Sequence, residues 1–501
     1  MSSTTNHAAA YSFGVRCSMT AAEDPSRVAL TFVGGSHEDV WTWRRLDQHS
    51  SQLARFLLDN GVSAGSFVVI GLPNSPDHIA LTIAAWKIGA CVLPLSGRMP
   101  GPERKAVLEV AKPSAVIAEW DGPGFAVVRP SDLPSAARFS TDPLPDPGAW
   151  PAKAMGSGGS TGTPKIILDP NPWVRAPGDG GGLLGRAIGL KPNWVQLVSG
   201  PLYHTAPFSW CHWGLFDKHH VVLCDRFDAR RWIDLVERYR VQFAFLVPTM
   251  MHRIASQEGV EVESLSSIEL LFHSGGSCAP WLKRRWIDFV GPTHLIEGYG
   301  STEGMGLTVV RGDEWLRHIP TVGRAYQTEI QILDDSLCKL PAGQIGEIFM
   351  RPHDYDAPTF RYIGAPAPKV APDGLVSVGD LGWLDDEGYL YIADRRLDMI
   401  VSGGANIFPA EVEAVITAHP GVADAVVVGV RDDEWGRRVH AIVEPKNWLA
   451  CPSPAELQAF CRERLTPYKV PKSFELVEHL PRDESGKIRR SMLAAERSAL
   501  N

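Results

Sequence analysis

Short apolar segments and amphipathic segments alternate along the first hundred residues. The mainly apolar segments at residues 27–33, 67–72 and 90–95 are typical of strands, and the run at 67–72 is continuously apolar. Between them, apolar residues recur at helical spacing after Thr42, a residue suited to capping a helix, and again over residues 76–88. Strand, helix and strand in this order predict β-α-β units and a parallel sheet.

The alternation resumes after a proline-rich connector at residues 143–151. Apolar runs separated by helical patterns predict strands near residues 194–199, 220–224, 241–247, 268–273 and 293–296. Open sheets of this kind bind ligands beyond the carboxyl ends of their strands. Polar turns at residues 273–277 and 297–303 follow two of these strands, so the sequence predicts a ligand site at these turns.

The last third of the chain changes its pattern twice. Short apolar runs broken by Gly, Pro and Asp over residues 320–395 predict a small β-rich subdomain. Beyond it, a helix beginning at Pro409 and several further strand and helix patterns predict a separate α/β unit. We therefore predict an α/β protein. Its large N-terminal domain, residues 1–396, has doubly wound α/β sheets plus the β-rich subdomain, and a small α/β C-terminal domain covers residues 397–501.

Length and composition indicate a globular protein of several domains. With 501 residues the chain is long enough for about two to four domains, and 44% hydrophobic residues is an ordinary content. A formal net charge of −8 gives no reason to expect nucleic acid or an anionic membrane as a partner. The sequence has no long apolar run and no signal-peptide pattern, and its 8 cysteines lack metal-ligand spacing. We therefore expect a cytoplasmic protein with reduced cysteines and without membrane insertion.

A glycine-rich segment at residues 156–165, GSGGSTGTPK, has the composition of an anion-binding loop. Its glycines let backbone N–H groups converge, the hydroxyls of Ser157, Ser160 and Thr161 can donate to phosphate oxygens, and Lys165 adds positive charge. The spacing fits neither the Walker loop nor the dinucleotide fingerprint. A flexible surface loop is the alternative, but the stiff and charged ending TGTPK favours a loop that grips a triphosphate.

Four segments, taken together, resemble a known family. They are GSGGSTGTPK, EGYGSTEG, VGDLGWLDDEGYLYIADRRLDMIVSGGANIFPAEVE and PRDESGKIRR. Their order and spacing resemble those of the acyl-adenylating superfamily of acyl-CoA synthetases, nonribosomal-peptide adenylation domains and luciferases, and the resemblance covers nearly the whole chain. It implies that ATP and a carboxylic acid give an acyl-adenylate and pyrophosphate, after which the acyl group passes to a thiol. It also implies that the small C-terminal domain is mobile and adopts a different pose for each step.

The resemblance implies three catalytic residues and the cofactors ATP, Mg²⁺ and CoA. Thr302 would contact the α-phosphate, and Glu303 would bind Mg²⁺, a cation that prefers oxygen ligands. Lys487 would bridge the carboxylate and α-phosphate oxygens, where negative charge is spread during the transfer. Without the resemblance, Glu303 is most simply a solvated carboxylate and Lys487 a lysine of a basic tail.

The resemblance also implies which residues hold the nucleotide. Tyr299 would stack on adenine, and Asp380 and Arg395 would bond the ribose hydroxyls, although Asp380 taken alone is equally suited to a turn. The full set expected to bind ATP is Ser157, Gly158, Gly159, Ser160, Thr161, Gly162, Lys165, Gly275, Gly276, Ser277, Gly298, Tyr299, Gly300, Ser301, Asp380 and Arg395.

The acyl pocket is expected around the segment YHTAPFSW at residues 203–210. Its implied residues are His204, Phe208, Trp210 and Gly304. Relatives that activate amino acids carry an aspartate near this phenylalanine, and its absence here disfavours an amino acid. Aromatic residues interleaved with small ones favour a bulky hydrophobic acid, which would be aromatic, alicyclic, steroid- or terpenoid-like. The alternative is that these aromatic residues pack in the core.

For the thiol step, the resemblance implies that the turn of Ser402, Gly403 and Gly404 opens a path for pantetheine and that Trp435 stacks on the adenine of CoA. Leu397 stands where the family usually carries a charged hinge residue. We expect an ATP-dependent acid–CoA ligase that acts on a small-molecule carboxylic acid. The alternatives are a stand-alone adenylation enzyme that loads an acyl carrier protein, a luciferase-like oxygenase, and a nucleotide-binding regulator without chemistry. The sequence does not indicate an oligomeric state.

Overall fold

The computed structural model describes residues 9–35, 37–122, 124–157, 165–353, 359–396, 398–402, 405–432, 435–483 and 486–499. Several sequence predictions fall outside these ranges and stay predictions: those for Gly158, Gly159, Ser160, Thr161, Gly162, Leu397, Gly403, Gly404 and the side chain of Ser157.

The first part of the chain is built from short strands and four α-helices. Its strands are Tyr11–Ser12 (β1), Val28–Gly34 (β2), His37–Thr42 (β3), Phe67–Gly71 (β4), Cys91–Pro94 (β5), Ala115–Ala118 (β6), Val127–Val128 (β7) and Ala154–Ser157 (β8). Its helices are Phe13–Glu23 (α1), Trp43–Asp59 (α2), Pro76–Lys87 (α3) and Gly101–Ala111 (α4), followed by a 3-10 helix at Pro130–Arg138. Thr42 caps α2 as predicted, since its hydroxyl accepts a hydrogen bond from the backbone N–H of Arg45.

The middle of the chain alternates strands and helices, as the apolar pattern predicts. The strands are Lys165–Leu168 (β9), Val174–Arg175 (β10), Val195–Val198 (β11), His220–Cys224 (β12), Phe243–Leu246 (β13), Leu270–His273 (β14), Leu295–Gly300 (β15) and Leu307–Arg311 (β16). The helices are Gly182–Ile188 (α5), Thr205–Phe216 (α6), Ala229–Tyr239 (α7), Pro248–Ala255 (α8), Pro280–Val290 (α9) and Gly312–Trp315 (α10), with a 3-10 helix at Glu263–Leu265.

A β-rich region follows, and then the α/β elements of the C-terminal part. The strands of the β-rich region are Gly323–Ala325 (β17), Thr328–Leu333 (β18), Gly346–Pro352 (β19), Arg361–Ile363 (β20), Val376–Leu384 (β21) and Tyr389–Arg395 (β22). The C-terminal elements are Ile400–Ser402 (β23), Ala405–Ile407 (β24), Pro409–Thr417 (α11), Val422–Asp432 (β25), Gly436–Pro445 (β26), Pro454–Arg462 (α12), Ser473–Leu476 (β27) and Arg490–Ala499 (α13), with 3-10 helices at Trp448–Ala450 and Pro467–Lys469.

Among the described residues, thirteen strands form one mixed sheet in the order β18-β19-β21-β22-β17-β16-β15-β14-β13-β11-β12-β2-β3. Strands β11 to β15 and β2 run parallel, and the β-rich strands continue the sheet in antiparallel pairs. A second sheet has the order β5-β4-β6-β7 and is parallel. The protein is therefore an α/β protein with helices packed on a large sheet, as predicted. The parallel strands end at one edge, which is where a ligand site is expected.

The early strands belong to two different sheets. The β-α-β unit of β4, α3 and β5 is confirmed, since these two strands are parallel neighbours. Strand β2, predicted as a strand without a sheet partner, forms a hairpin with β3 and pairs with β12 in the large sheet. Its partner comes from far along the chain, and a local apolar pattern carries no signal for such pairing.

The C-terminal elements bury their own apolar residues. Strands β25, β26 and β27 form a three-stranded sheet with α11 and α12 on one side and α13 on the other. Two clusters of buried aliphatic residues lie on the two faces of this sheet. This is the composition of a separate folding unit, and the boundary predicted after residue 396 stays a prediction.

No helix in the described part of the chain has the length and apolar character needed to cross a membrane. All eight cysteines are described and unpaired, and five of them, Cys17, Cys91, Cys211, Cys224 and Cys461, are buried. Most of the cysteines are therefore core residues, as predicted, and their reduced state stays a prediction.

Candidate active site

A cleft of about 3140 Å³ opens at the carboxyl ends of the parallel strands, between the large sheet and the C-terminal elements. Residues of both polar turns and of the PRDESGKIRR segment form its walls. Most of the expected site residues lie in these walls, namely Lys165, His204, Trp210, Gly275, Gly276, Ser277, Gly298, Tyr299, Gly300, Ser301, Thr302, Glu303, Gly304, Asp380, Arg395 and Lys487. The structure therefore brings segments from across the chain to one place.

Two glycines shape the polar turns for physical reasons. Gly275 follows β14 with a φ of 86°, a left-handed conformation that disfavours other residues. At Gly298, a Cβ atom would lie 2.4 Å from the ring of Phe272, so the strand could not approach this ring with a larger residue. The turns thus form a cleft wall that consists largely of backbone.

Glu303 is a buried carboxylate with two donors. Its Oε1 accepts hydrogen bonds from the Tyr362 hydroxyl at 2.7 Å and from Nζ of Lys165 at 3.2 Å. Burial raises the pKa of Glu303, but the Tyr362 hydrogen bond and the charge of Lys165 outweigh it, so the pKa lies below its ordinary value. Glu303 is therefore ionised at neutral pH.

The single carboxylate of Glu303 is sufficient for a Mg²⁺ ion that is also bound by the phosphates of a nucleotide. No group of three or more His, Cys, Asp or Glu in the described ranges is arranged to hold a metal ion. Mg²⁺ is usually held by one or two carboxylates together with substrate phosphates. Glu303 is ionised and faces the cleft, so its oxygens suit this kind of site.

Tyr299 and Asp380 form a hydrogen bond across the cleft wall. The Tyr299 hydroxyl donates to Oδ2 of Asp380 at 2.6 Å, and Nε of Arg395 lies 3.8 Å from Oδ1. Burial raises the pKa of Asp380, while the hydrogen bond from Tyr299 and the charge of Arg395 act in the opposite direction. Burial also raises the pKa of Tyr299 well above its ordinary value, so its hydroxyl stays a donor. The three residues predicted to hold the nucleoside are therefore neighbours.

Lys487 reaches the cleft from the C-terminal part of the chain. Its backbone N–H donates to Oδ1 of Asp483 at 2.9 Å, which fixes the turn that precedes it. Burial and the nearby charge of Arg395 lower the pKa of its ammonium, and the carboxylates of Asp483 and Glu303 act in the opposite direction. The Lys487 ammonium is therefore close enough to Arg395, Asp483 and Glu303 for their charges to act on it.

The C-terminal part contacts the large sheet close to Lys487. Gly486 has a φ of 79°, and a Cβ atom at this position would lie 2.6 Å from the hydroxyl oxygen of Thr249 at the start of α8. Nearby, Arg489 donates to Glu103 at 3.0 Å across the same boundary. The chain therefore approaches α8 closely at Gly486, where only a glycine fits, one residue before Lys487.

Residues of the YHTAPFSW segment lie on the cleft wall and in the core behind it. Burial and the charge of Lys487 lower the pKa of His204 to about 4, with Asp483 acting in the opposite direction, so the imidazole is neutral at pH 7. The hydroxyl groups of Thr205 and Thr302 lie 2.9 Å apart, which links α6 to the second polar turn. His204 is thus close enough to Lys487 for the lysine charge to lower its pKa, and Thr302 is joined to the same helix.

Phe208 is a correction to the predicted acyl pocket. It is fully buried in the core, with its ring centroid 6.0 Å from that of Trp86 and 6.1 Å from that of Trp173. In α6, the side chain of Phe208 packs against the first helices of the chain, whereas Trp210 and Trp213 are among the residues that line the cleft. These two rings pack edge to face at 5.0 Å and line the cleft, so the aromatic wall lies further along the helix than expected.

The predicted CoA residues lie away from the centre of the cleft. Trp435 is exposed, with 44% of its surface accessible, and the ammonium of Lys472 lies 5.7 Å from its ring centroid. Ser402 ends β23. In this structure neither residue is among those that line the cleft.

Tyr362 and Lys153 have no counterpart among the sequence predictions. Tyr362, on β20, is brought to Glu303 because β20 pairs with β9, which begins at Lys165. Lys153 lines the cleft, next to β8. A lysine within the otherwise apolar segment PAKAM is a signal that could have identified it, whereas Tyr362 depends on a long-range strand pairing.

Comparisons with known proteins agree with this geometry. The family described as AMP-binding enzyme matches residues 17–354, and the AMP-binding enzyme C-terminal domain matches residues 411–487. A feruloyl-CoA synthase of Amycolatopsis sp is 31% identical over 89% of this chain and 92% of its own length. A 2-succinylbenzoate–CoA ligase of Bacillus pumilus is 28% identical over 94% of this chain and 96% of its own length. The o-succinylbenzoate CoA synthetase of Bacillus subtilis, solved in complex with its acyl-adenylate intermediate, superimposes with a TM-score of 0.80 at 25% identity, covering 95% of this chain and 97% of that chain.

Proposed function

Because the chain belongs to the AMP-binding enzyme family, we propose that it is an ATP-dependent, AMP-forming acid–CoA ligase. A carboxylic acid and ATP give an acyl-adenylate and pyrophosphate, and the acyl group then passes to CoA with release of AMP. The observation that carries this proposal is the meeting of Glu303, Lys487 and the Tyr299–Asp380 pair in one cleft. These groups come from three separate segments of the chain, around residues 299–303, 380 and 487, and such an arrangement is suited to phosphoryl chemistry.

In the first step an oxygen of the acid attacks the α-phosphorus of ATP, and the bond to the pyrophosphate oxygen breaks. The Lys487 ammonium would contact both the attacking carboxylate and an α-phosphate oxygen, which aligns them and offsets their mutual repulsion. Thr302 would donate to the same phosphate. Glu303 would hold Mg²⁺, which when bound neutralises phosphate charge.

The nucleoside would lie against the polar turns. Tyr299 would stack on adenine, and Asp380 would accept hydrogen bonds from the ribose hydroxyls with Arg395 beside it. Lys165 would bind the terminal phosphates together with the glycine-rich segment that precedes it. Support comes from the presence of all four of these side chains in the wall of one cleft.

The acid is proposed to be bulky and hydrophobic, with an aromatic acid favoured. Trp210, Trp213 and Trp173 line the cleft beside His204. Relatives that match along nearly their whole length are a feruloyl-CoA synthase and a 2-succinylbenzoate–CoA ligase, both named for acids with an aromatic ring. A wall of three indole rings suits such a ring because aromatic pairs gain energy beyond their buried area.

The second step requires Lys487 to leave the cleft. Its ammonium has no role in thioester formation, and the Ser402 turn would face the thiol in the second pose. We propose free CoA as the acceptor, with Trp435 as the exposed ring on which the CoA adenine stacks. A cytoplasmic location is part of this proposal, because ATP and CoA are available there and eight unpaired thiols stay reduced there.

Isotope exchange tests this function directly. The purified protein would be incubated with ATP, Mg²⁺, labelled pyrophosphate and each member of a panel of aromatic, alicyclic and polycyclic acids. We expect acid-dependent incorporation of label into ATP, followed by a thioester product when CoA is added. No incorporation with any acid would reject the function. Incorporation followed by transfer to a carrier protein but not to CoA would reject only the acceptor.

A further inference from the structure

Lys153 is a cation in the cleft wall to which the proposed function assigns no role. It pairs with Val92 at the edge of the second sheet, just before β8, and lies in the same wall as Met155 and Trp173. Only 7% of its surface is exposed. A lysine buried to this degree is rare unless its charge is compensated.

The compensation that the protein supplies is incomplete. The nearest carboxylate oxygen, Oδ2 of Asp169, lies 4.0 Å from the ammonium, and the ring centroid of Trp173 lies at 5.5 Å. Within the described ranges the ammonium has no acceptor at hydrogen-bond distance. The oxygens of Asp169 already accept from Trp173 Nε1 at 3.2 Å and from the Asn171 backbone at 3.0 Å. An ammonium can donate three hydrogen bonds, so Lys153 is left with unused donors that face the cleft.

The surroundings point to the acyl end of the cleft. Trp173 packs 6.0 Å from Trp213, and Trp213 packs 5.0 Å from Trp210, so the three rings continue from Lys153 along one wall. Arg175 follows Trp173 by two residues and also lines the cleft. No carboxylate in the described part of the chain lies within 4.0 Å of its guanidinium, which adds positive charge to this end.

We propose that Lys153 binds a second carboxylate on the acid substrate, at the end remote from the carboxylate that is activated. This inference rests on the proposed function and deepens it, because it names the substrate class as aromatic acids that bear an additional carboxylate. The aromatic ring would lie against Trp173 and Trp213, and the second carboxylate would accept hydrogen bonds from the Lys153 ammonium. Burial lowers the pKa of Lys153, with Asp169, Cys91 and Glu303 acting in the opposite direction, and a bound carboxylate would add to their effect.

The test compares matched acids in pyrophosphate exchange. The probes are 3-phenylpropanoate, its 2-, 3- and 4-carboxy derivatives, and the aryl methyl ester of each derivative. The ratio of kcat/KM for diacid over ester is measured for the wild type and for Lys153→Met, which keeps the length of the side chain without its charge. Lys153→Arg keeps the charge and should retain part of the preference. Lys191→Met is the matched control, because Lys191 also lies near an indole ring, at 5.6 Å from Trp194, but on the exposed surface outside the cleft.

We expect the wild type to prefer at least one diacid over its ester, and Lys153→Met to lower this ratio by about tenfold or more. The KM for ATP, the rates with 3-phenylpropanoate and the Lys191→Met values should stay unchanged. Lys153→Met should melt at or above the wild-type temperature, since an apolar residue replaces a poorly paired buried charge.

Three outcomes would overturn the inference. An unchanged diacid-to-ester ratio of kcat/KM in Lys153→Met would show that the ammonium does not bind the second carboxylate. A raised KM for ATP with an unchanged ratio would assign the ammonium to a phosphate. A lower melting temperature with an unchanged ratio would reduce Lys153 to a structural partner of Asp169. Each of these leaves exchange intact and the proposed function standing, whereas absence of exchange with every acid rejects the proposed function and the inference with it.

Discussion

Two buried lysines, Lys87 and Lys153, have contrasting surroundings. Lys87, at the end of α3, donates to the Asp47 carboxylate at 2.5 Å, to the Asp47 carbonyl at 3.0 Å and to the Ser51 hydroxyl at 2.8 Å. All three of its donors are therefore used within the helices of the first core. Lys153 has one carboxylate at 4.0 Å.

We interpret Lys87, whose hydrogen bonds are all made within the protein, as a charge that stabilises the fold. We interpret Lys153, whose hydrogen bonds are not, as a charge that binds a ligand. A buried ion pair with all its hydrogen bonds made is costly to break, because removal of one partner leaves the other buried and unpaired. In the cleft, Lys153, Lys487 and His204 lie in surroundings that lower their pKa values. Substrates that carry negative charge would supply the missing interactions. Four substitutions test this division.

Lys87→Met should have the largest effect on stability. It leaves the Asp47 carboxylate buried with only the Ser18 hydroxyl as a side-chain donor, so we expect the free energy of unfolding to fall by about 3–5 kcal/mol. Urea denaturation measures this change, and the activity of the folded fraction should be unaltered. The double variant Lys87→Met with Asp47→Leu should recover part of the loss. A loss below about 1 kcal/mol in the single variant would contradict the structural role.

Lys487→Ala should lower the activity without lowering the stability. We expect pyrophosphate exchange to fall by about 10²- to 10³-fold, because one positioned donor to the transition state is lost, while the melting temperature stays near that of the wild type. Thioester formation from a preformed acyl-adenylate should be retained, since that step does not use this ammonium. Lys105→Ala, at an exposed lysine of α4, serves as the control. An equal loss in both steps would refute separate poses of the C-terminal part.

Asp217 tests whether backbone donors can replace a cation as the partner of a buried carboxylate. Its oxygens accept from the N–H groups of Gly178 and Gly180 at 2.8 Å, and burial raises its pKa to about 6. Below the unfolded pKa both states are protonated. Between that value and about 6 the folded state binds more protons, so the free energy of unfolding should fall as pH rises, by at most about 1.4 kcal/mol per pH unit.

Above about pH 6 the contribution of Asp217 levels off. Asp217→Asn should make the slope of denaturation curves collected from pH 4 to pH 7 shallower by this amount, while Asp394, whose pKa burial also raises to about 6, keeps its own contribution. Asp146→Asn is the matched control, because Asp146 accepts from the Gly148 N–H at 3.0 Å on the exposed surface. If the slope is as steep in Asp217→Asn as in the wild type, the pKa of Asp217 is not raised.

Trp435→Ala should have the smallest effect, because Trp435 lies outside the cleft. The KM for CoA should rise by roughly two- to tenfold, the range expected for loss of one aromatic stack, and the KM for ATP should not change. Trp448→Ala removes another exposed indole, with 47% of its surface accessible, and should alter neither value. Equal CoA constants in the two variants would remove Trp435 from the acceptor site.

The sequence was most informative where chemistry and structure use neighbouring residues. The segments around Glu303, Asp380 and Lys487 could be identified because each holds its site residue within a short motif. Strands and helices followed from apolar periodicity, with Thr42 and Pro409 marking helix starts as expected.

Contacts between distant segments could not be derived from local patterns. The pairing of β2 with β12, and of β20 with β9, depends on segments far apart in the chain. Phe208 was placed in the acyl pocket by the family resemblance, but its side chain is fully buried in the core, whereas Trp213 and an edge of the largely buried Trp210 line the cleft. Lys153 was overlooked because one lysine has no motif.

The hydrogen bond from Tyr299 to Asp380 connects the residue expected to contact the base with the residue expected to contact the ribose. The phenol that would cover the base occupies one acceptor position of the carboxylate that would read the sugar. Under the proposed function, the contact with the base and the contact with the ribose hydroxyls are therefore linked in this protein. Removal of the Tyr299 hydroxyl would free an acceptor position on Asp380, so a change made at the base contact would also alter the binding of the sugar.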